Sequence, residues 1–341
     1  MNYERELVET AKALVAPNKG ILAADESVGT IGKRFAKLGV PSTVETHRAY
    51  RDMLFTTSGI EAFISGVILY DETIRQESLG GTPFPRLLAD KGIIPGIKVD
   101  TGAIDLPLHP GEKITQGLDG LRERLAEYRG MGARFTKWRA VITIGAGIPS
   151  TACISTNAHA LARYAAFAQE AGLVPIVEPE VLMDGDHDQE RCEAVTSTVL
   201  RSVFQELSGQ GVLLEGMLLK PSMVISGKQC ARQAGVQEVA EATVRTLRRT
   251  VPAAVPGIVF LSGGQSSELA TAHLNAMNKL GPHPWELSYS YGRALQEPAL
   301  SIWHGEEANV VAAQAAFYHR SKCNSAARTG SYTPEMEHEQ S

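Results

Sequence analysis

The chain repeats one pattern: a short apolar run that ends in charged or small polar residues. Seven runs follow it clearly, an eighth is more polar, and their first residues lie 29 to 44 positions apart. They are ILAAD (21–25), SGVILYD (65–71), PGIKVD (95–100), ARFTKWRAV (133–141), LVPIVEPE (173–180), GMLLKP (216–221), GIVFLSGG (257–264) and ELSYSYGR (286–293). Because the stretches between them look helical, strand and helix should alternate, which is typical of a parallel sheet. Eight such units in about 300 residues predict an α/β fold, a single (β/α)8 TIM barrel.

The ends of the chain differ from this pattern. Residues 2–16 have the periodicity of an amphipathic helix that precedes the first strand. No linker rich in Pro, Gly or Ser divides the chain, so we expect one catalytic barrel domain over residues 1–320. Residues 321–341 lose apolar periodicity, and we predict that they form a flexible, mobile C-terminal tail.

Composition argues against several classes of partner. With 33 Lys and Arg against 38 Asp and Glu, the net charge of −5 gives no overall basic field for nucleic acid. No apolar run approaches the roughly 18 residues that cross a bilayer, and no secretory signal is visible. The four cysteines have no CxxC spacing, so we expect free thiols in a reducing compartment and predict a cytoplasmic protein.

Ionisable and small polar residues collect where the apolar runs end. In this barrel type the catalytic residues come from the C-terminal ends of strands, which meet at one rim. These ends supply Asp25, Glu26, Ser27, Asp71, Lys98, Asp100, Lys137, Arg139, Glu178, Glu180, Lys220, Ser262, Gly263, Gly264, Ser290, Gly292 and Arg293. Residues two apart on a strand share a face, so Lys137 should point inward with Arg139, as should Glu178 with Glu180 and Lys98 with Asp100. The alternative to a ligand site is a set of structural ion pairs that cap the barrel.

Lys220 carries the most specific chemical implication. It directly follows the apolar residues 217–219, so its amine should be partly withdrawn from water. Desolvation and neighbouring cations favour the neutral, nucleophilic amine, which forms a Schiff base with a carbonyl compound. A carboxyl group such as Glu178 can supply the proton that expels water from the carbinolamine. The alternative is a lysine whose ammonium group extends into solvent.

Two groups of residues suit anions. The segment LSGGQS (261–266) has small residues whose backbone N–H groups can converge on a phosphate, although a plain turn is the alternative. SYGR (290–293) adds Arg293, and a second cationic group comes from Lys98, Arg139, Lys33 and Arg34. Two separated cationic groups suit a substrate with a phosphate at each end. GAGIPS (145–150) and DGDHD (184–188) lack the full nucleotide and calcium patterns, so we predict no cofactor and no metal.

Taken in order, GILAADES, LYDE, GIKVD, KWRAV, VPIVEPE, LLKP, FLSGGQS and SYGRALQ closely resemble the motifs of class I fructose-bisphosphate aldolases. The resemblance extends from about residue 3 to residue 320 and includes every predicted strand. It implies a (β/α)8 barrel, usually homotetrameric, that acts as a lyase (EC 4.1.2.13) in glycolysis and gluconeogenesis. It also implies reversible cleavage of fructose 1,6-bisphosphate to dihydroxyacetone phosphate and glyceraldehyde 3-phosphate, without metal.

The resemblance also implies roles for individual residues. Lys220 resembles the Schiff-base lysine, Glu178 the acid and base of carbinolamine dehydration, and Asp25 the residue that helps deprotonate the C4 hydroxyl. Lys137 and Glu180 resemble the groups that order charge around the intermediate. The 1-phosphate site is implied at Ser262, Gly263, Gly292 and Arg293, and the 6-phosphate end with the sugar hydroxyls at Lys98, Arg139, Ser27 and Arg34. Gly264 and Ser290 complete the predicted binding residues.

The resemblance has one departure with a chemical consequence. Well-known animal members end in a tyrosine that assists proton exchange on the enamine, whereas this sequence ends in Ser341 and has an internal tail tyrosine, Tyr332. We therefore expect either slower protonation of the enamine or its protonation by another acid, such as Glu178. Three alternatives stay open: a Schiff-base aldolase for another sugar phosphate, a metal-dependent aldolase, and an inactive barrel that serves as a scaffold.

Overall fold

Eight parallel strands close into a barrel in the computed structural model, which describes residues 3–338. The strands of the chain are β1 (Gly20–Ala23), β2 (Ile64–Leu69), β3 (Ile94–Lys98), β4 (Gly102–Asp105), β5 (Lys113–Gln116), β6 (Phe135–Ile142), β7 (Val174–Val181), β8 (Leu218–Leu219), β9 (Gly257–Phe260) and β10 (Glu286–Tyr291). Around the barrel the order is β1, β2, β3, β6, β7, β8, β9, β10, and β10 pairs with β1. The predicted (β/α)8 barrel and its eight strands are confirmed.

Helices surround the barrel and close one end of it. In chain order they are α1 (Glu4–Leu14), α2 (Val28–Ala36), α3 (Val44–Thr56), α4 (Asp71–Ile74), α5 (Phe84–Asp90), α6 (Leu121–Gly130), α7 (Thr151–Glu170), α8 (Gln189–Gly209), α9 (Val236–Thr250), α10 (Ser267–Lys279), α11 (Arg293–Trp303) and α12 (Val310–Arg328). Within residues 3–338, no helix has the length and apolar character that a membrane span requires.

The strand side chains alternate between two separate cores. The inner core contains Ile21, Ala23, Ile68, Phe135, Val174, Ile176, Leu218 and Val259. The outer core lies between the barrel and its helices, and there Trp138 stacks on Tyr164 of α7 with ring centroids 5.5 Å apart. Because every second strand residue faces inward, Lys137, Glu178 and Lys220 continue the inner rows beyond the apolar layers. Packing inside the barrel therefore directs these three side chains toward one end of it.

Helix α1 closes the opposite end of the barrel. Its residues Leu7, Ala11 and Leu14 belong to the inner core, and Ser65 of β2 donates a hydrogen bond to the carbonyl oxygen of Leu14 at 2.5 Å. The predicted leading helix is therefore present, and its apolar face covers the N-terminal ends of the strands. This leaves the C-terminal rim as the open end.

Two local features differ from the predicted pattern. The antiparallel hairpin β4–β5 stands between β3 and α6, where the sequence suggested only a helical connection. Six of the eight apolar runs also extend past their strands, because their polar ends form loops, whereas β6 and β7 continue one residue beyond their runs. In the run that forms β9 the strand stops at Phe260, and Gly263 and Gly264 then adopt φ values of +57° and +86°. Such left-handed conformations suit glycine and cannot continue a strand.

The boundary predicted at residue 321 falls inside α12, which continues to Arg328. Cys323, Asn324 and Ala327 are fully buried there, and Asn324 accepts a hydrogen bond from Thr271 of α10 at 2.6 Å. Apolar periodicity did not reveal the end of this helix, because its buried face includes polar residues. Since the helix continues to Arg328, the predicted flexible tail cannot begin before Thr329. Beyond α12, Tyr332 is buried and donates a hydrogen bond to Glu337. Residues 339–341 of the predicted tail lie outside the described residues.

The C-terminal segment is held by a buried ion pair that allows a stability prediction. Both oxygens of Glu337 accept hydrogen bonds from Arg320 of α12, whose side chain is only 3% exposed. Glu337→Gln should lower the free energy of unfolding by about 3 kcal/mol, because it leaves a buried cation without its anion. Urea denaturation measures this loss. The exposed neighbour Glu335 provides the control, since Glu335→Gln should change stability by less than about 0.5 kcal/mol. Equal losses in the two variants would contradict the prediction.

Candidate active site

A cavity of about 470 Å³ opens at the C-terminal rim of the barrel. All fifteen residues predicted for the site line it: Asp25, Ser27, Arg34, Lys98, Lys137, Arg139, Glu178, Glu180, Lys220, Ser262, Gly263, Gly264, Ser290, Gly292 and Arg293. The predicted convergence of the strand ends on one space is therefore observed. The part that each residue plays in chemistry stays a prediction.

Two lysines and two carboxylates form a continuous buried chain at the base of this cavity. Glu178 lies between the lysines, with its Oε1 3.3 Å from Lys220 Nζ and its Oε2 3.2 Å from Lys137 Nζ. Lys137 Nζ also lies 2.7 Å from Asp25 Oδ2. The side chains of Lys220 and Glu178 are each 4% exposed, so the contact between amine and carboxylate is shielded from bulk water. A proton can pass directly between an amine and a carboxylate at this distance.

The charges of these four side chains determine which groups at the base of the cavity are ionised. Burial alone would raise the pKa of Asp25, but the charges of Lys137 and Lys220 outweigh it and hold the pKa well below its ordinary value. Burial also acts to raise the pKa of Glu178, and the same two lysines lower it below the ordinary value. Burial would lower the pKa of Lys137, yet Asp25 and Glu178 raise it well above the ordinary value. At neutral pH the free site therefore holds Lys137 as a cation and both carboxyl groups as anions.

Cations cluster on the wall formed by β1, α2, β3 and β6. The members of this distal cluster are Ser27, Arg34, Lys98 and Arg139. Arg139 donates a hydrogen bond to Glu180, and Lys98 Nζ lies 3.3 Å from Asp100 Oδ1. Ser27 caps α2 by accepting a hydrogen bond from the backbone N–H of Thr30, so the positive end of this helix dipole also faces the cavity. Each of the three cations has a carboxylate partner, and Lys33 and Lys37, which also line the cavity, add the positive charge that suits an anionic group.

A second anion-binding wall, the proximal cluster, follows β9 and β10. Its members are Ser262, Gly263, Gly264, Ser290, Gly292 and Arg293. Gly292 is the N-cap residue of α11, so the N-terminus of an eleven-residue helix faces the cavity beside the guanidinium of Arg293. The Oγ of Ser290 is buried and has no hydrogen-bond partner within the described residues. Backbone N–H groups, a free hydroxyl and a permanent cation are the donors that phosphate-binding loops use.

Several motifs from the sequence lie away from this cavity. Asp71 begins α4 and pairs with Arg75. In the DGDHD loop, Asp188 caps α8 and Asp184 pairs with Lys228, so two of its three acids have structural partners. In GAGIPS, Ser150 caps α7. Tyr332 packs in the C-terminal segment and does not line the cavity.

Two acids found at the strand ends were not among the predicted site residues, yet both line the cavity. Asp100 stands two residues after Lys98, a spacing that placed both on one face, and its Oδ2 accepts a hydrogen bond from the backbone N–H of Arg139 at 3.2 Å. Glu26 lines the cavity although strand alternation would turn it away from Asp25. It reaches the rim because β1 has already ended at Ala23 and the backbone beyond it is a loop.

One group of potential metal ligands lies near the C-terminus. Within residues 3–338, His319, Cys323 and Glu337 bring three ligand atoms within 4.8 Å of one another. Glu337 already accepts hydrogen bonds from Arg320 and Tyr332. This group therefore belongs to the C-terminal segment and does not line the cavity.

Comparisons with known proteins identify relatives over almost the whole chain. A family profile described as "Glycolytic: Fructose-bisphosphate aldolase class-I" matches residues 6–341. A probable fructose-bisphosphate aldolase class 1 from Xanthomonas campestris is 60% identical over 328 residues, covering 96% of this chain and 98% of the relative. A fructose-bisphosphate aldolase from Dictyostelium discoideum is 54% identical over 336 residues, covering 98% of this chain and 94% of the relative. A fructose-bisphosphate aldolase from Plasmodium falciparum, crystallised with TRAP and a small-molecule inhibitor, superposes with a TM-score of 0.96 at 52% identity, covering 97% of this chain and 96% of that one.

Proposed function

Because this chain belongs to the class I fructose-bisphosphate aldolase family, we propose that its cavity performs the family's reaction through an imine formed at Lys220. The reaction is reversible cleavage of fructose 1,6-bisphosphate to dihydroxyacetone phosphate and glyceraldehyde 3-phosphate, a carbon–carbon lyase activity (EC 4.1.2.13) that serves glycolysis and gluconeogenesis. One observation carries the choice of residue. Lys220 is a buried amine in contact with a carboxylate, at the base of a cavity with cationic walls.

Imine formation needs a neutral amine and a proton donor. Transfer of a proton from Lys220 to Glu178 across 3.3 Å supplies both at once. The nitrogen lone pair of Lys220 attacks C2 of the open-chain ketose, and a proton then moves from the nitrogen to the former carbonyl oxygen to give a carbinolamine, which leaves Glu178 protonated. Glu178 then protonates the hydroxyl group and the C–O bond breaks. Water departs, and the product is a protonated imine. Lys137 stays charged beside Glu178 and stabilises the carboxylate that results.

Cleavage uses the imine as an electron sink. Asp25 stays ionised because of Lys137, so it can accept the proton of the C4 hydroxyl group. As that proton leaves, C4 becomes an aldehyde carbon and the C3–C4 electron pair moves to the imine, which becomes an enamine. Protonation of C3 and hydrolysis of the new imine release dihydroxyacetone phosphate and restore Lys220. We propose that Glu178, which is a carboxylate after the dehydration step, regains a proton from water and supplies it to C3, while Asp25 returns the proton of the C4 hydroxyl group to water.

The two clusters hold the ends of the substrate in this scheme. The proximal cluster takes the 1-phosphate, and Arg34, Lys98, Arg139 and Ser27 of the distal cluster take the 6-phosphate and the sugar hydroxyls. Glu180 orders charge at this end by fixing Arg139. Two anchored phosphates place C2 beside Lys220 and so reduce the entropy cost of the reaction.

A direct assay tests the proposed function against its alternatives. The purified chain should cleave fructose 1,6-bisphosphate in a coupled assay for triose phosphate, and a strong chelator should leave the rate unchanged. Loss of activity in chelator would favour a metal-dependent aldolase. Turnover of other sugar phosphates alone would favour a different Schiff-base aldolase, and no turnover at all would favour an inactive scaffold.

Removing the cation that links the carboxylates should change the pH profile. In the wild type, the pKa values of Asp25 and Glu178 lie below their ordinary range, so neither group should reduce kcat/KM as the pH falls from 7 to 5. Lys137→Met removes one of the positive charges that counteract the effect of burial, so the pKa values of Asp25 and Glu178 should both rise. Each carboxylate then protonates at a higher pH, so the acid limb of kcat/KM should move upward by about one pH unit, and kcat should fall about 100-fold. Superimposable acid limbs would contradict this.

We further propose that the protein is a cytoplasmic homotetramer without nucleic-acid or membrane partners. The resemblance to the family supports the tetramer, and a relative from Arabidopsis thaliana named cytosolic supports the compartment. Within residues 3–338 no disulfide joins the four cysteines, which fits a reducing environment. Light scattering should give four times the 36.7 kDa mass of the chain, and a monomer would overturn the proposed assembly.

A further inference from the structure

Glu26 is a buried carboxylate with a cationic partner on each oxygen. Its Oε1 accepts hydrogen bonds from Arg34 Nη1 at 2.6 Å and from Gln296 Nε2 at 3.0 Å. Its Oε2 accepts from Arg51 Nη2 at 2.5 Å. The side chain of Glu26 is 5% exposed, and that of Arg51 is 2% exposed. A buried charge of this kind is costly unless the geometry is used, and the chemical steps above do not use it.

The partners of Glu26 come from three separate elements. Arg34 lies on α2, Arg51 on α3 and Gln296 on α11. Gln296 also donates to the carbonyl oxygen of Ala23, the last residue of β1, at 2.6 Å. Glu26 therefore fixes helix α2 to the end of the strand that leads to Asp25.

The partners of Glu26 differ in one respect that matters for the substrate. Arg34 lines the cavity and is 23% exposed, whereas Arg51 and Gln296 are buried. A guanidinium has five N–H donors in a fixed plane, and the carboxylate engages one nitrogen of Arg34, Nη1. Held in this way, Arg34 can present its other donors to an anion in the cavity with little further loss of side-chain entropy.

We propose that Glu26 is a positioning residue that holds Arg34 for the substrate phosphate farther from Lys220, and that it thereby sets the preference for a ketose with two phosphates over one with a single phosphate. This rests on the proposed function, which places the 6-phosphate at the distal cluster. Glu26 does not touch the reacting atoms, because both of its oxygens are occupied by protein donors.

The test compares fructose 1,6-bisphosphate with fructose 1-phosphate, which lacks the distal phosphate. In Glu26→Gln the amide keeps the volume but loses the charge that holds the arginines. KM for the bisphosphate should rise about 10-fold with kcat within about two-fold, while kcat/KM for fructose 1-phosphate stays within about two-fold. The ratio of the two kcat/KM values should therefore fall about 10-fold. This ratio does not depend on the fraction of enzyme that folds, since misfolding lowers both rates equally.

Two further variants separate positioning from a structural role. If Glu26 acts through Arg34, then Glu26→Gln should have no further effect on KM for the bisphosphate when Arg34→Ala is already present. Glu193→Gln is the control, because Glu193 pairs with Arg245 through both oxygens far from the cavity. It should leave the ratio unchanged. If Glu26→Gln prevents folding entirely, Glu26→Asp keeps the charge but shortens its reach and should lower the ratio in the same direction.

An unchanged ratio in Glu26→Gln would overturn the proposal, whether both substrates lose activity equally or neither does. Additive effects of Glu26→Gln and Arg34→Ala would also overturn it. Failure of the proposed function gives a different result, since the wild type would then not cleave fructose 1,6-bisphosphate at all.

Discussion

Replacing Lys220 with alanine should lower kcat for fructose 1,6-bisphosphate cleavage by about 10⁵-fold or more. The variant has no nitrogen with which to form the imine, so the C3–C4 electron pair has no acceptor. Single removals of a nucleophile in other covalent enzymes give losses of this size. The coupled assay on purified protein measures the effect, and circular dichroism shows whether the barrel is intact.

Lys220→Arg tests whether residue 220 acts as a nucleophile or only as a positive charge. Arginine keeps a cation beside Glu178 but does not form an imine under these conditions. We expect it to be as inactive as the alanine variant. Lys12→Ala is the control because Lys12 is exposed on α1, at the closed end of the barrel, and its removal should leave kcat unchanged. Substantial turnover by either Lys220 variant would rule out covalent catalysis at this residue.

Glu178→Gln should lower kcat by about 10³-fold and slow the formation of the imine. Glutamine retains the size of the side chain but can neither take the proton of Lys220 nor protonate the carbinolamine hydroxyl group. The rate at which borohydride traps dihydroxyacetone phosphate on the protein should therefore fall about 100-fold or more.

Glu180→Gln provides the contrast within the same strand. Glu180 pairs with Arg139 in the distal cluster, whereas Glu178 contacts both lysines. Glu180→Gln should raise KM for the bisphosphate. It should leave the trapping rate with dihydroxyacetone phosphate nearly unchanged, because that substrate has no distal phosphate. Normal trapping by Glu178→Gln would assign the proton transfer to another group.

The barrel was predictable because its signal is local. Strands in a parallel barrel are buried on both faces and so form continuous apolar runs, which stand out between helical stretches. Alternation then predicts the inward direction of Lys137, Glu178 and Lys220 from their apolar neighbours alone. The common rim brought all fifteen predicted site residues together, although they are spread over nearly the whole chain, while Asp71 of the second strand end lies away from the cavity.

The pairing of the charges could not be predicted in the same way. Alternation shows which face a side chain occupies but not which partner it meets. Lys137 could have paired with either glutamate of β7, and in the structure it contacts Glu178 and Asp25 while Arg139 takes Glu180.

Glu26 and the last turns of α12 needed tertiary structure for another reason. Glu26 lies in a loop, where alternation no longer applies, and its partners stand on three helices. The end of α12 buries Asn324 because Thr271 of α10 offers it a hydrogen bond. Neither contact has a counterpart in the periodicity of the sequence.

The most direct measurement is the site at which the substrate becomes attached to the protein. The wild type should be incubated with dihydroxyacetone phosphate, reduced with borohydride, digested and mapped by mass spectrometry. We expect one stable adduct, on the Nζ of Lys220, and none in Lys220→Ala. An adduct on Lys137 or Lys98, or no adduct in an enzyme that cleaves the bisphosphate, would contradict imine formation at Lys220.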